Sequence, residues 1–549
     1  MSDRRTNERC ERFSDSAGRL CQTVLLILLL ASIAGCAKAP VEAPVVEAGG
    51  EVLVGVRVGA DGEMAVFRGI PYAAPPVGEL RWRPPEPHAP RAGKQDASRF
   101  GPACPQLQGN PEWYRDVAKK FGRSPDEIPD LTDIQENCLY LNVWSQNLNG
   151  DAAQAVMVWI HGGANVNGFS HEPNYHGHNL AKRDVVVVSI NYRLGAMGFM
   201  AHPALTAESD REVSGNYGLL DQIAALEWVR ANIASFGGDP DRVAVFGESA
   251  GAGDIGTLIA SPLAKGLFRR AIIQSGGYPL DNAATVSDDE VFGLELMSAL
   301  GVGDGPKQLE EMRALPWQEI VAAVPSAAPG QFTGEVVDGW LLPKPAADIF
   351  EAQEQNPTEI VIGSNANEWL MYLTQPVEEQ QLHAVLKQRI REGHRAEVLA
   401  ALHKAAGGDV AAKLDLLTGA MDFHCPSLAI ADAQRELTDR VFVYRFSRVR
   451  PEGEKLLAYH GAEIPYVFDT ADDWLPADGV DRALTDTMLG YWTQFAKTGD
   501  PNGAGLPNWP AFDPRRDVHQ DLGDEVRTAT GLNREFCEAL DRGHLVANR

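Results

Sequence analysis

The sequence predicts an α/β fold with a large, mostly parallel central sheet flanked by helices and carrying helical insertions. Two observations carry that expectation. Short apolar runs rich in β-branched residues recur at 155–160, 185–190, 243–246, 271–273, 360–362 and 441–444, the pattern of strands buried on both faces. Helical patterns lie between many of them, and strand-helix alternation argues for a parallel sheet.

Taken in order, the chain begins with Arg4, Arg5, Arg9, Arg12 and Arg19, then an apolar run at 24–31, then Ser32-Ile33-Ala34-Gly35-Cys36. This reads as a signal peptide over residues 1–35, because the apolar run is too short for a comfortable transmembrane span. Small residues before Cys36 resemble the bacterial lipobox, in which that cysteine is lipidated and becomes the first mature residue. Cleavage without lipidation, or an uncleaved anchor, is the alternative. Residues 36–49, rich in Pro, Ala and Val, read as a flexible tether, and 50–549 as a single domain. In that domain the segment 221–234 places Ile223, Ala225, Leu226, Val229 and Ile233 near one stripe, as a crossover helix would. The stretches 290–324 and 380–417 read as helical insertions over the sheet.

Composition narrows the function. With 549 residues, 44% hydrophobic and 23% charged, the chain is long enough and apolar enough to bury a large core. A formal charge of −26 argues against a nucleic-acid partner, since such partners need a Lys/Arg footprint. Of seven cysteines, Cys10 and Cys21 leave with the signal and Cys36 is the lipidation candidate. Cys104, Cys138, Cys425 and Cys537 remain. An exported chain permits disulfides among them, and four reduced, buried thiols are the other reading.

The strongest local signal is Gly247-Glu248-Ser249-Ala250-Gly251, directly after the strand RVAVF and before a helix expected to begin at Ala250. With 53 glycines, G-x-S-x-G alone could be a structural turn. On a strand-to-helix turn, however, it is the nucleophile elbow, which lifts the serine hydroxyl out of the sheet. The helix N-terminus behind it favours negative charge on a substrate oxygen. Hydroxyl nucleophiles need a base, and the hydrolase order is serine, acid, histidine. Glu368 follows the strand EIVIG at 359–363, and His460 lies on the loop after VFVYRF at 441–446. Both sit beyond strand C-termini, where active-site loops gather, although thirteen histidines and many acids leave other choices open. His161-Gly162-Gly163-Ala164 follows the strand AVMVWI, as an oxyanion loop does, or as a glycine-rich turn would.

Together these residues resemble the type-B carboxylesterase family, which contains carboxylesterases and cholinesterases. The resemblance runs over about residues 50–538 and rests on ordered landmarks: FRGIPYAAPPVGELRWRPP at 67–85, ENCLYLNVW at 136–144, GESAG at 247–251, VVDGWLLP at 336–343, YHGAEIPYVF at 459–468 and FAKTGDPNG at 495–503. It implies an α/β-hydrolase fold with Ser249 forming the acyl-enzyme, Glu368 as acid and His460 as base. It also implies oxyanion donors at Gly163, Ala164 and Ala250, and disulfides Cys104–Cys138 and Cys425–Cys537. Ala164 and Trp369 stand where the family usually has glycine. The alanine methyl would narrow the acyl site, and the tryptophan would crowd the acid's loop or line the pocket.

The expected activity is therefore hydrolysis of a small-molecule carboxylic ester, without a metal or organic cofactor. His171, His176 and His178 with Glu172 lack a recognised ligand spacing and read as surface or pocket lining. The expected setting is outside the cytoplasm, with membrane contact only through an N-terminal lipid; oligomeric state is left open. Two other readings stand beside it: a hydrolase of amide, carbamate or lactone bonds, and a non-catalytic binding or adhesion protein of the same fold. Trp113 and Tyr114, on the 105–137 loop, could equally pack or bind.

Overall fold

Apolar runs buried on two faces must be covered on two faces, and the computed structural model has that architecture. It describes residues 42–107, 109–131, 133–276, 284–327 and 334–543, and from Pro44 onward these belong to one compact unit. The strands are β1 (Val45–Ala48), β2 (Glu51–Val54), β3 (Val56–Val58), β4 (Met64–Pro71), β5 (Lys94–Asp96), β6 (Tyr140–Ser145), β7 (Gln154–Ile160), β8 (Val185–Ile190), β9 (Gly238–Glu248), β10 (Arg270–Gln274), β11 (Glu359–Asn365), β12 (Val441–Phe446), β13 (His519–Leu522) and β14 (Val526–Ala529). Eleven of them form one mixed sheet in the order β14-β13-β12-β11-β10-β9-β7-β8-β6-β4-β3. The stretch from β13 through β8 is parallel. Its edges are antiparallel.

The period-two alternation of a strand divides each run between two cores. On β7, Val156, Val158 and Ile160 enter one core, while Ala155, Met157 and Trp159 enter the other. Helices Tyr217–Asn232 and Ala250–Ala260 cover the first face with Leu226, Val229, Ile255 and Leu258. Helix Gly479–Thr498 covers the second with Leu484, Met488, Trp492 and Phe495.

The predicted crossover helix begins earlier than its stripe suggested, at Tyr217 rather than at 221. Asn216 sets that start: it sits in the left-handed region at φ 51°, and its side-chain amide clamps both the N–H and the carbonyl of Val336. The 290–324 insertion is three helices, Val286–Ala299, Gln308–Ala314 and Trp317–Ala327. The 380–417 insertion is also three, Glu379–Arg389, Arg395–Ala406 and Val410–Gly419. Each group closes a satellite core of its own.

The flexible tether expected over 36–49 needs correction at its C-terminal end. Val45–Ala48 pairs antiparallel with Glu51–Val54 and buries Val46 and Ala48. Gly49 and Gly50, at φ 60° and 77°, make the two-residue turn that positive φ at both positions allows. The signal segment and Cys36 lie outside the described residues. Cysteines 104 and 138 are bonded to each other, as are 425 and 537.

Candidate active site

The parallel strands deliver the candidate residues to one edge of the sheet, beyond the C-terminal ends of β7, β9, β11 and β12. Ser249 follows β9 and holds φ 55°, ψ −125°, a strained conformation at the N-terminus of helix Ala250–Ala260. Two close approaches explain the flanking glycines. A Cβ at Gly247 or Gly251 would stand 2.7 or 2.2 Å from the carbonyl oxygen of Ile160 at the end of β7. The strand-helix turn can press against the neighbouring strand only if both lack side chains.

Three residues far apart in the chain then meet. His460 Nε2 lies 2.8 Å from Ser249 Oγ, and Nδ1 lies 2.7 Å from Glu368 Oε2. The other oxygen of Glu368 accepts the Asn365 N–H at 2.6 Å. Asn365 also donates to the Tyr459 carbonyl and to Glu463, lacing the acid's loop to the histidine's. Asp415 supports that loop from beneath, accepting the Trp369 and Leu370 N–H groups. Glu368 and His460 are buried.

Sequence reasoning missed Glu248, the variable residue of the elbow. Its carboxylate is 3.3 Å from His460 Nε2 and is buried. Desolvation raises its pKa to about 8, against the opposing pull of His460. Burial pulls the imidazole down, but Glu248, Glu368 and Glu463 outweigh it and leave His460 raised above the ordinary value. Phe423 was missed too. Its ring stacks on His460 at 4.7 Å and 27°, from the π-helical turn Ala420–His424 just before Cys425. The signal for Glu248 was its place directly before Ser249 in the elbow, whereas Phe423 has no spacing signal, because only the tertiary fold brings it to the histidine.

A cavity of about 270 Å³ opens onto Ser249 and His460, with Gly163, Ala164, Trp113, Tyr114, Tyr372 and Glu248 in its wall. The segment expected as a loop over 105–137 carries a helix, Gly109–Lys120, and its Trp113 indole N–H donates to the Tyr372 hydroxyl at 3.0 Å, reaching across to the segment after Glu368. Tyr114 donates to Glu172, which also lines the cavity. Trp369 takes a different place, packed between Tyr372 and Phe423, behind the wall. Ala164 has the left-handed φ of 55° that a glycine would adopt more readily. His171 and His176 stack on Phe100, and burial lowers both to about 4. Among the described residues no group of three or more His, Cys, Asp or Glu is arranged to hold a metal ion.

A largely parallel sheet covered on both faces, with its serine on a strand-to-helix elbow, defines the α/β-hydrolase class. The sequence profile of the Carboxylesterase family matches residues 42–540, and the chain belongs to that family. It is 36% identical over 499 residues to the fumonisin B1 esterase of Sphingopyxis macrogoltabida, covering 87% of each chain. To a liver carboxylesterase of Sus scrofa it is 33% identical, over 93% of this chain and 95% of that one. Among solved structures, the Geobacillus stearothermophilus carboxylesterase at pH 6.2 superposes with a TM-score of 0.77 at 32% identity, over 90% of this chain and 99% of that one. Its activity is the hydrolysis of carboxylic esters.

Proposed function

We propose that Ser249 is the nucleophile of this esterase, His460 its general base and acid, and Glu368 the carboxylate that orients the imidazole. The observation that carries the reading is the unbroken chain of contacts from Ser249 Oγ through both nitrogens of His460 to Glu368, at 2.8 and 2.7 Å. Ser249 Oγ attacks the ester carbonyl while His460 Nε2 takes its proton. Collapse of the tetrahedral intermediate breaks the bond to the alkoxy oxygen, and the alcohol leaves with that proton. Water then attacks the acyl-enzyme, gives a proton to His460, and releases the acid as Ser249 is reprotonated. Glu368 stabilises the imidazolium in both halves without becoming protonated itself. The N–H groups of Gly163, Ala164 and Ala250 bind the oxyanion as it develops.

The cavity wall supports esters that carry no negative charge and have small acyl groups. It presents aromatic faces and two carboxyl groups, with no Lys or Arg among its lining residues, and its size is at the lower edge of ligand pockets. We propose also that the chain is exported and lipid-anchored through Cys36, a reading supported by the lipobox-like sequence and by two disulfides, which persist in oxidising compartments. Among the described residues, no helix is long and apolar enough to cross a membrane. Labelling with a fluorophosphonate followed by peptide mass spectrometry tests the nucleophile. One adduct, on Ser249, is expected; an adduct on another residue, or none, overturns the assignment.

A further inference from the structure

The oxyanion donors assigned above come from two separate segments: Gly163 and Ala164 on the loop after β7, and Ala250 at the start of the helix after the nucleophile. Their useful geometry depends on the distance between those segments, because donors must stand about 2.7–3.1 Å from the oxyanion. The loop is not a relaxed one. Gly163, Ala164 and Asn165 hold φ of 107°, 55° and 57° in succession, a region that the alanine side chain disfavours and asparagine tolerates better. Such a backbone persists only where its surroundings over-determine it.

The surroundings are a buried polar cluster. Asn165 Nδ2 donates to Asp254 Oδ1 at 2.9 Å, and Gln222 Nε2 donates to the other oxygen of Asp254. The Tyr192 hydroxyl reaches both Asn165 Oδ1, at 3.0 Å, and the His161 carbonyl, at 2.8 Å, so it grips the loop at both ends. The Gly195 N–H donates to the Asn165 carbonyl. Asp254, Gln222, Asn165 and Tyr192 are all buried. Asp254 lies on helix Ala250–Ala260, one turn beyond Ala250. The Asn165–Asp254 bond therefore joins the strained loop directly to the helix that carries the third donor.

We propose that Asp254 and Asn165 are positioning residues whose mutual hydrogen bond fixes the two halves of the oxyanion hole relative to each other. The proposal rests on Gly163, Ala164 and Ala250 being the donors. A tie of this kind acts where charge has moved onto the carbonyl oxygen, so its loss falls on the transition state more than on substrate binding. It also accounts for how this chain tolerates alanine at 164: the residue that follows, Asn165, is anchored.

The test uses the full-length protein with Asn165→Ala, Asp254→Leu and the double variant, assayed on p-nitrophenyl acetate and for inhibition by a trifluoromethyl ketone, whose serine adduct carries the oxyanion. Each single variant should lose about 10- to 100-fold in kcat, somewhat less than deletion of an oxyanion donor, with KM nearly unchanged. Ketone affinity should fall by a similar factor, and the double variant should be no worse than the poorer single one. Asp254→Asn should retain most of the activity, because its oxygen still accepts from Asn165 and a turned Gln222 amide accepts from its nitrogen. Wild-type kcat in folded Asn165→Ala, or a loss confined to KM, overturns the tie. If Asp254→Leu does not fold, Asn165→Ala and Asp254→Asn decide the matter. Ser249→Ala is measured alongside: retained activity there defeats the esterase assignment itself, whereas lost activity there with unaffected Asn165 and Asp254 variants defeats only the tie.

Discussion

Replacing Glu248 with glutamine removes one negative charge 3.3 Å from the nitrogen of His460 that faces Ser249 and keeps the side chain's size. Hydrolysis requires a neutral imidazole, so kcat/KM falls as pH drops through the histidine's ionisation. That ionisation is raised because the surrounding carboxylates outweigh burial, and Glu248→Gln therefore moves the acid limb to lower pH. An opposite charge within about 4–6 Å is typically worth about 1–3 pH units, each 1.36 kcal/mol. Glu248 is itself pushed up to about 8 by burial and carries its charge only part of the time as the histidine titrates. The lower end, about 1 unit, is thus the expected shift. The same charge also favours the imidazolium formed during attack, so the plateau kcat should drop as well. The assay is kcat/KM for p-nitrophenyl acetate across about pH 6 to 10, which brackets the raised histidine. An unmoved limb, or one displaced to higher pH, would refute the electrostatic reasoning.

Phe423→Leu removes the ring stacked on His460 at 4.7 Å; a cation–π contact worth about 0.5–2 kcal/mol predicts a kcat loss of about 2- to 30-fold with KM little changed. Arg193→Met strands Asp221 in a core where both side chains are at most 3% exposed, and should destabilise the protein by about 3–5 kcal/mol, read from chemical denaturation. Cys425→Ser with Cys537→Ser opens a bridge across a sequence separation of 112 and should cost about 2–4 kcal/mol, seen as a lower unfolding midpoint at unchanged pH.

The parallel centre of the fold was legible because both faces of β7, β8 and the second half of β9, residues 243–248, are buried, leaving apolar runs in the sequence. The edges were not. Strand β13 reads HQDL: His519 and Gln520 are buried, and Gln520 donates to the Tyr491 hydroxyl, a tertiary hydrogen bond that no local pattern announces. Strand β1 was hidden by its proline-, alanine- and valine-rich surroundings, although VVEA-GG-EVLV contains both the alternation and the turn of a hairpin. For the candidate triad, order and position after strands left Glu368 and His460 as choices among thirteen histidines and many acids, and it was the family resemblance that singled them out. Trp369 was only half legible: its place beside the acid was clear, but that it packs on Phe423 depends on a helical insertion folding back over the site. Asp254 and Asn165 are 89 positions apart, and nothing in either segment marks the other as its partner.

Whether ester hydrolysis runs through Ser249 is measured most directly by a chain-length series of p-nitrophenyl esters with the wild type and Ser249→Ala. The wild type should turn over short acyl esters, with a burst from acyl-enzyme accumulation where deacylation is slow, and Ser249→Ala should lose both turnover and burst. Hydrolysis that survives Ser249→Ala undiminished would contradict the assignment of Ser249 as nucleophile.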